Sequence, residues 1–494
     1  MTTDRLVETH VSWLFLLGDR AYKLKKPVVL DFLDFSTRAA RETACHREVE
    51  LNRRLAPDVY LGVADVHDPD GTTCDHLVVM RRMPDDRRLS TLVRRGADVR
   101  DGLRSLAHLL AAFHASTTTS PEIAATATVA AVRARWESSF ATMAPFTGST
   151  LDRATADRAE LLASRYLDGR GPLFEERIES GKIRDGHGDL LADDIYLLDD
   201  GPRVLDCIEF DDDLRYGDVI ADVAFLAMDL ERLGAAPLGA AFLAWYDEFA
   251  GERAPRTLSE HYLAYRAHVR SKVACMRVAQ GDDAAAGDAD GLLRLAARHL
   301  ERTRVALALV GGLPGTGKST LATMLADRLG WTVLRSDEVR KDLAGVGHTE
   351  RHDADYEQGI YTTAATVRTY DELLRRARSL LEHGESVVLD ASWGDARLRA
   401  EAASIASVTV AELHELRCVA PVGIAEQRLA ARVASGQDAS DATAAVAARM
   451  RAAADPWDSA IAIDTAGTSV AAASASLAAM GIELTDVEGR RLTD

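Results

Sequence analysis

Apolar positions along this chain form short unbroken runs set between stretches of helical spacing, the pattern of buried strands alternating with amphipathic helices. Val305-Ala306-Leu307-Ala308-Leu309-Val310 reads as a buried strand, and Thr320 to Ala326 after it as helix. Trp331 to Arg335 and Glu385 to Asp390 read as two further strands, the first ending at Ser336-Asp337 before a helix start and the second ending in a carboxylate. Near the start, Trp13 to Leu17 and Arg20 to Lys25 flank Gly18-Asp19, a two-residue hairpin turn. Thr37 to Leu55 carries apolar residues at helical spacing and stops at Ala56-Pro57, and Leu77 to Met80 is another apolar run. The small, acidic, Gly-rich stretch Gln280 to Gly291 reads as a loop, with a helix from Leu292 to Arg304 after it. This pattern predicts an α/β and α+β chain with a boundary near Arg304. Residues 1–83 and 84–304 would form two lobes, and residues 305–494 a separate three-layer domain with a parallel sheet.

Directly after the Val305–Val310 run comes Gly312-Leu313-Pro314-Gly315-Thr316-Gly317-Lys318-Ser319, a G-x-x-x-x-G-K-S motif between a strand and a helix. Glycines there let backbone N–H groups converge on phosphates. Lys318 would reach the β and γ oxygens and Ser319 a Mg²⁺ ion, with Gly312, Gly315, Thr316, Gly317 and Thr320 completing the nucleotide cradle. In a parallel α/β sheet the carboxyl ends of strands face the ligand crevice, which offers Asp337 as acceptor-positioning base or as helix cap, and Asp390 as a Mg²⁺ ligand. Arg428 and Arg432, four residues apart on one helix face before a polar stretch, could neutralise a transferring phosphoryl group. An exposed helix is the plainer account of the same pair.

Composition narrows the partners. The net charge is −18, about −8 of it after residue 304, which argues against nonspecific nucleic-acid binding and for a small acceptor. No apolar run approaches the length of a bilayer span, so no membrane partner and a cytoplasmic location are expected. The five cysteines are scattered and odd in number, which suggests buried thiols and neither a disulfide framework nor a zinc site. Oligomeric state is left open.

A second constellation lies in the helical stretch. His187-Gly188-Asp189-Leu190 leads to Asp194-Ile195, and Val204-Leu205-Asp206 follows some ten residues on. This resembles the catalytic loop and metal-binding Asp of the aminoglycoside phosphotransferase-like kinases, relatives of the protein kinases. The resemblance implies that Asp189 orients the acceptor hydroxyl, that Asp194 and Asp206 hold Mg²⁺, and that an Asp in Gly217 to Ala224 braces the loop. It also implies that Lys23 pairs the nucleotide phosphates with Glu48 as its helix partner; Glu50, Lys25 and Lys26 are competitors. Two positions depart from the family pattern: Leu191 stands for His, and Asp194 for the usual Asn. Arg266, Arg270 and Lys272 read either as lining of an acceptor cleft or as a solvated helix face.

The second half resembles the zeta-toxin and polynucleotide-kinase-like group of P-loop kinases, through G-x-P-G-x-G-K-S-T, S-D-x-x-R-K, V-V-L-D-A-S and R-L-x-x-R. It does not resemble a mechanical AAA+ ATPase, since Asp390 is followed by Ala391 and not by an acidic residue. The whole chain resembles a bacterial bifunctional family fusing the two domains. What this implies is an ATP- and Mg²⁺-dependent phosphotransferase, with GTP an open alternative, carrying two nucleotide sites and acting on small hydroxylated acceptors. A nucleotide-controlled regulator with a degenerate first domain, and a nucleic-acid end kinase, are the alternatives.

Overall fold

The computed structural model describes residues 4–9, 11–30, 33–347, 362–435 and 444–482, with the side chains of 30, 432–435 and 444 outside that description. The chain divides into two compact units. The first comprises Met1–Glu160, Phe174–Ala254 and Leu258–Leu300; the second comprises Leu161–Leu173, Pro255–Thr257 and Glu301–Asp494. Their partition is therefore discontinuous in sequence. Within the second unit the buried Arg170 donates to the carbonyls of Leu381 and Thr409 at 2.6 and 3.0 Å, contacts between segments far apart in sequence.

The first unit begins with a five-stranded antiparallel sheet in the order Arg5–Glu8, Ser12–Leu17, Arg20–Lys25, Thr73–Arg81, Tyr60–His67. The helix Arg38–Asn52 starts where the Thr37 side chain accepts from the Ala40 N–H. It buries Cys45 and Val49 against Ala21, Val78 and Met80 of the sheet. A largely helical region follows, built around Val219–Arg232, whose residues from Val219 to Leu230 are all buried. Two short antiparallel ribbons, Ile195–Leu198 with Gly201–Val204 and Ile183–Asp185 with Tyr216–Asp218, frame the segment between them.

One expected loop is a helix. Ala285–Glu301 is helical from its first alanine, so the stretch from Ala285 to Gly291 is helix and not loop. Small residues decide this: Ala285, Ala289, Leu292, Leu293 and Ala296 form one buried stripe, with Gly287 and Gly291 at positions where a side chain would meet nothing.

The second unit is a parallel sheet in the order Thr332–Arg335, Val387–Asp390, Ala306–Gly311, Glu412–Val419, Ile461–Asp464. Ala306–Gly311 and Val387–Asp390 are buried at every residue, which is why both read as continuous apolar runs. Helices cover the sheet, with separate clusters around Leu309, Leu373 and Trp393 and around Val310, Leu325 and Leu416. Successive strands are added first on one side of Ala306–Gly311 and then on the other, and crevices for ligands form at such switch points.

Among the described residues no helix is long and apolar enough to cross a membrane. All five cysteines are free; Cys74 is exposed and the other four are buried.

Candidate active sites

In the first unit, strand pairing places Lys23 opposite Val78 in the middle of the sheet, facing the helix Arg38–Asn52. Lys23 Nζ lies 2.9 Å from Glu48 Oε1 and 2.7 Å from Asp206 Oδ1. Two residues on, Lys25 Nζ lies 2.8 Å from the other oxygen of Glu48 and also pairs with Glu209. Burial opposes the charge on Lys23, but Asp206, Glu48 and Glu209 outweigh it and hold the ammonium well above the ordinary lysine range. Lys23 likewise depresses the Asp206 carboxyl.

Asp206 lies two residues beyond the end of a strand. It follows the strand Gly201–Val204 with φ of +65°, a left-handed conformation that Asp tolerates better than most residues. The turn is held from the other side: the Asp206 N–H donates to the Tyr60 hydroxyl at 3.1 Å, and the Cys207 N–H to Asn52 Oδ1 at 2.9 Å. The strained backbone thus presents a half-exposed carboxylate toward Lys23.

Asp222 braces the segment that begins at His187. Its two oxygens accept from the backbone N–H groups of His187 at 2.7 Å and Gly188 at 2.9 Å, while His114 lies 3.1 Å away. On the other side Arg266 Nη1 donates to the Gly188 carbonyl at 3.2 Å. Asp229 accepts from the Ala192 N–H at 3.0 Å. Between these anchors sits Asp189, whose carboxyl is pushed up to about 6 by burial, with Asp206 and Asp229 adding to the rise and Arg270 and Arg266 opposing it. Asp194 is held well above the carboxylate range by burial and by Asp206, Asp189 and Asp193. Three mutually repelling carboxyl groups therefore share this site. Such an oxygen donor set suits Mg²⁺, which takes one or two carboxylates and completes its shell with phosphate oxygens and water. Asp206 and Asp194 are the residues that would hold it.

In the second unit, the loop after Ala306–Gly311 runs through Gly312, Gly315 and Gly317 at φ of +135°, +81° and +87° into the helix Lys318–Leu329. A Cβ at Gly315 would stand 2.5 Å from the Ala425 carbonyl, and one at Gly312 2.6 Å from that of Cys418, so neighbouring backbone excludes larger residues at both. Thr316 Oγ1 donates to the Leu313 carbonyl at 2.7 Å and Lys318 Nζ to the same carbonyl at 3.2 Å. The loop is closed on itself, with the lysine folded over it. Ser319 lies in the first helical turn and Thr320 is exposed beside it.

Asp390, buried at 5% exposure, ends the strand next to the loop. Arg335 Nε stands 3.9 Å from its Oδ2. Asp337 falls in the first turn of Ser336–Ala344; the cap position is Arg335 and makes no side-chain cap bond, so the capping role considered for Asp337 is wrong. Arg428 Nη2 donates to the Thr465 carbonyl at 2.6 Å, and Nη1 stands 3.4 Å from where a Cβ on Gly317 would be. That Nη1 is buried and lacks a hydrogen-bond partner among the described residues. The arginine is docked on the phosphate loop, which rules out the exposed-helix account of it. The Arg432 side chain and the polar stretch 436–441 lie outside the described residues.

Some of the site was missed or misjudged in sequence. Lys25, set aside as a competitor, is a buried partner of Glu48. Glu50 is exposed and pairs with Arg47 at 3.0 Å, away from Lys23. Arg266, Arg270 and Lys272 are half-buried, so a solvated helix face does not describe them. Asp218, also in the bracing segment, instead caps the helix Val219–Arg232 and pairs with Arg177 at 2.8 Å.

The phosphotransferase enzyme family model matches residues 15–261, and an AAA domain model matches residues 307–457. Uncharacterised proteins of Mycobacterium tuberculosis and Mycobacterium bovis are 46% identical over 460 residues, covering 93% of this chain and 92% of theirs. The chain belongs to the phosphotransferase enzyme family, with a P-loop kinase-like domain joined to it. Similar solved structures include a choline/ethanolamine kinase family protein from Mesorhizobium loti, with 15% identity and a TM-score of 0.40 over 61% of this chain and 88% of that one. Another is the Mycobacterium tuberculosis APS kinase in complex with AMPPNP and APS, with 19% identity and a TM-score of 0.27 over 36% of this chain and 98% of that one. The expected fold class holds: a kinase-like phosphotransferase fold precedes a P-loop α/β domain with a five-stranded parallel sheet.

Proposed function

We propose that this protein is an ATP- and Mg²⁺-dependent phosphotransferase with two nucleotide sites, each moving a γ-phosphoryl group to a hydroxyl of a small acceptor. The observation that carries the reading is the Lys23–Glu48–Asp206 ion-pair chain beside the braced Asp189. Lys23 is aligned by Glu48 to meet phosphate oxygens, and Asp189 accepts or orients the acceptor hydroxyl. Mg²⁺, when bound, supplies positive charge that offsets the charge on the phosphates. In the second unit Lys318 and Arg428 meet the phosphates, Ser319 and Asp390 hold the metal, and Asp337 faces the acceptor. These are parallel assignments, one set per unit.

A second reading is favoured by one observation. Asp194 places an extra carboxyl, held toward its neutral form, among Asp189 and Asp206, a weaker metal ligand than an ionised one, so the first unit would bind a nucleotide or ligand without turnover and regulate the second. Mg²⁺-dependent ADP release by the wild type, Lys318→Ala, Asp189→Ala and the double variant, with and without a pool of hydroxylated metabolites, separates the two. Loss of a distinct, acceptor-stimulated share in each single variant supports two kinases. Abolition by Lys318→Ala with no effect of Asp189→Ala sinks the two-kinase reading.

A further inference from the structure

The first unit holds a cavity of about 400 Å³ that none of the assigned catalytic groups lines, within the size range of small-molecule sites. Gly186 and Asp222 form part of its wall, so it adjoins the catalytic segment. Besides Arg215, four cations line it: Arg135, Arg184, Arg266 and Lys272. Among the described residues none of the four is ion-paired with a carboxylate.

Their hydrogen bonds go to backbone carbonyls and leave donors unspent. Arg184 donates to Gly181 and Thr117, Arg266 to Ala221 and Gly188, and Arg135 to Asp213. A guanidinium has five N–H donors, so each keeps some for a ligand. Arg266 is also fixed in orientation, its guanidinium 4.7 Å from the Phe225 ring centre. Lys272 is half-buried with no hydrogen bond among the described residues, and burial holds its ammonium below the ordinary lysine range.

The acidic groups on the same wall are already engaged or turned to water. Asp218 takes two hydrogen bonds from Arg177, and Asp222 accepts from His187, Gly188 and His114. Asp213 is exposed, and the remaining lining cation, Arg215, is paired with Asp185 and Asp212. In a chain of net charge −18, a concave surface with this excess of unpaired cations is built against the overall balance.

We propose that this cavity binds a small molecule bearing a phosphate or carboxylate group, held by Arg135, Arg266 and Lys272. An oxyanion there satisfies the spare guanidinium donors and the lone ammonium with charge-assisted bonds. It also reaches the catalytic loop. Arg266 holds the carbonyl of Gly188, the residue before Asp189, so an occupied cavity fixes the side chain that fixes the loop.

Calorimetric titration of the full chain carrying Lys318→Ala, which removes the main phosphate ligand of the second unit, tests this. The probes are inorganic phosphate, malonate and, as a neutral control, glucose. Expected is saturable binding of phosphate or malonate but not glucose, weakened tenfold or more by Lys272→Met and by Arg135→Gln and retained in Lys272→Arg. Circular dichroism spectra matching the parent show that the variants are folded; the half-buried Arg135 is the substitution least able to disturb the core. Absence of saturable anion binding, or equal affinity in Lys272→Met and Arg135→Gln, overturns the proposal.

Discussion

Lys23 donates to Asp206 across 2.7 Å, joining the middle strand of the first sheet to a carboxylate 183 residues later in the chain. The same ammonium is held by Glu48, so the lysine is positioned before any nucleotide arrives. Replacing it tests the nucleotide role against a purely structural one. In a Lys318→Ala background, Lys23→Met is expected to lower Mg²⁺-dependent ADP release by about 100-fold, the scale on which loss of a preorganised charge acts on a transition state. Melting temperature should change little, because Lys25 still pairs with the buried Glu48 and Asp206 is half-exposed. Unaltered turnover would remove Lys23 from the site.

The protonation of Asp189 sets a second expectation. Its carboxyl titrates at about 6, chiefly through burial, and it must be ionised to accept a proton or orient a hydroxyl. Turnover by the first unit should therefore fall as pH drops through about 6. Arg270 is the strongest of the charges favouring the ionised form, so Arg270→Gln raises the Asp189 pKa and moves this acid limb to higher pH. A pH–rate profile of both proteins in the Lys318→Ala background measures it; a limb that stays in place or moves down contradicts the assignment.

Arg428 gives the matching test in the second unit. Its buried Nη1 beside Gly317 is a donor without an acceptor among the described residues, the arrangement a phosphate oxygen would complete. In an Asp189→Ala background, Arg428→Ala should reduce kcat by about 100-fold or more with a smaller change in KM for ATP. The lost bond to the Thr465 carbonyl should cost about 1 kcal/mol of stability. If KM rises and kcat holds, the arginine binds ground-state nucleotide alone.

What could be read in the sequence was whatever local chemistry dictates. Ala306–Gly311 and Val387–Asp390 were visible because full burial on both faces makes them continuous apolar runs, and the phosphate loop because its glycines answer to backbone contacts at Ala425 and Cys418. The Lys23–Glu48 pairing came from resemblance; no spacing rule links positions 25 residues apart. The strand Tyr60–His67 lies outside the elements predicted above, although Asp70-Gly71 marks the hairpin that pairs it with Thr73–Arg81. Lys25, Asp206 and Arg428 illustrate the remainder. A buried lysine looks like a surface one until Glu48 and Glu209 surround it, and neither the left-handed turn at Asp206 nor the docking of Arg428 on Gly317 leaves a local signature.

His268 carries a prediction about acid stability. It is fully buried, its ring 4.4 Å from Phe140 and 5.0 Å from Trp136, and neither ring nitrogen has a hydrogen-bond partner among the described residues. Burial, aided by Lys272, pushes its pKa down to about 3. The unfolded chain takes up this proton near pH 6.5, whereas the folded chain resists until about 3, so between those values the unfolded state binds more protons and stability falls as pH falls. At pH 5 this one histidine accounts for about 2 kcal/mol relative to pH 8. His187, at about 4, and His261, at about 3, act in the same direction. His268→Leu keeps the volume and removes both the titration and two orphaned nitrogens. The variant should therefore melt higher than the wild type at pH 5 by about 5 °C, with a smaller gap at pH 8. Thermal melts at the two pH values decide it: a gap that is equal at both, or reversed, would mean that His268 is not held neutral in this core.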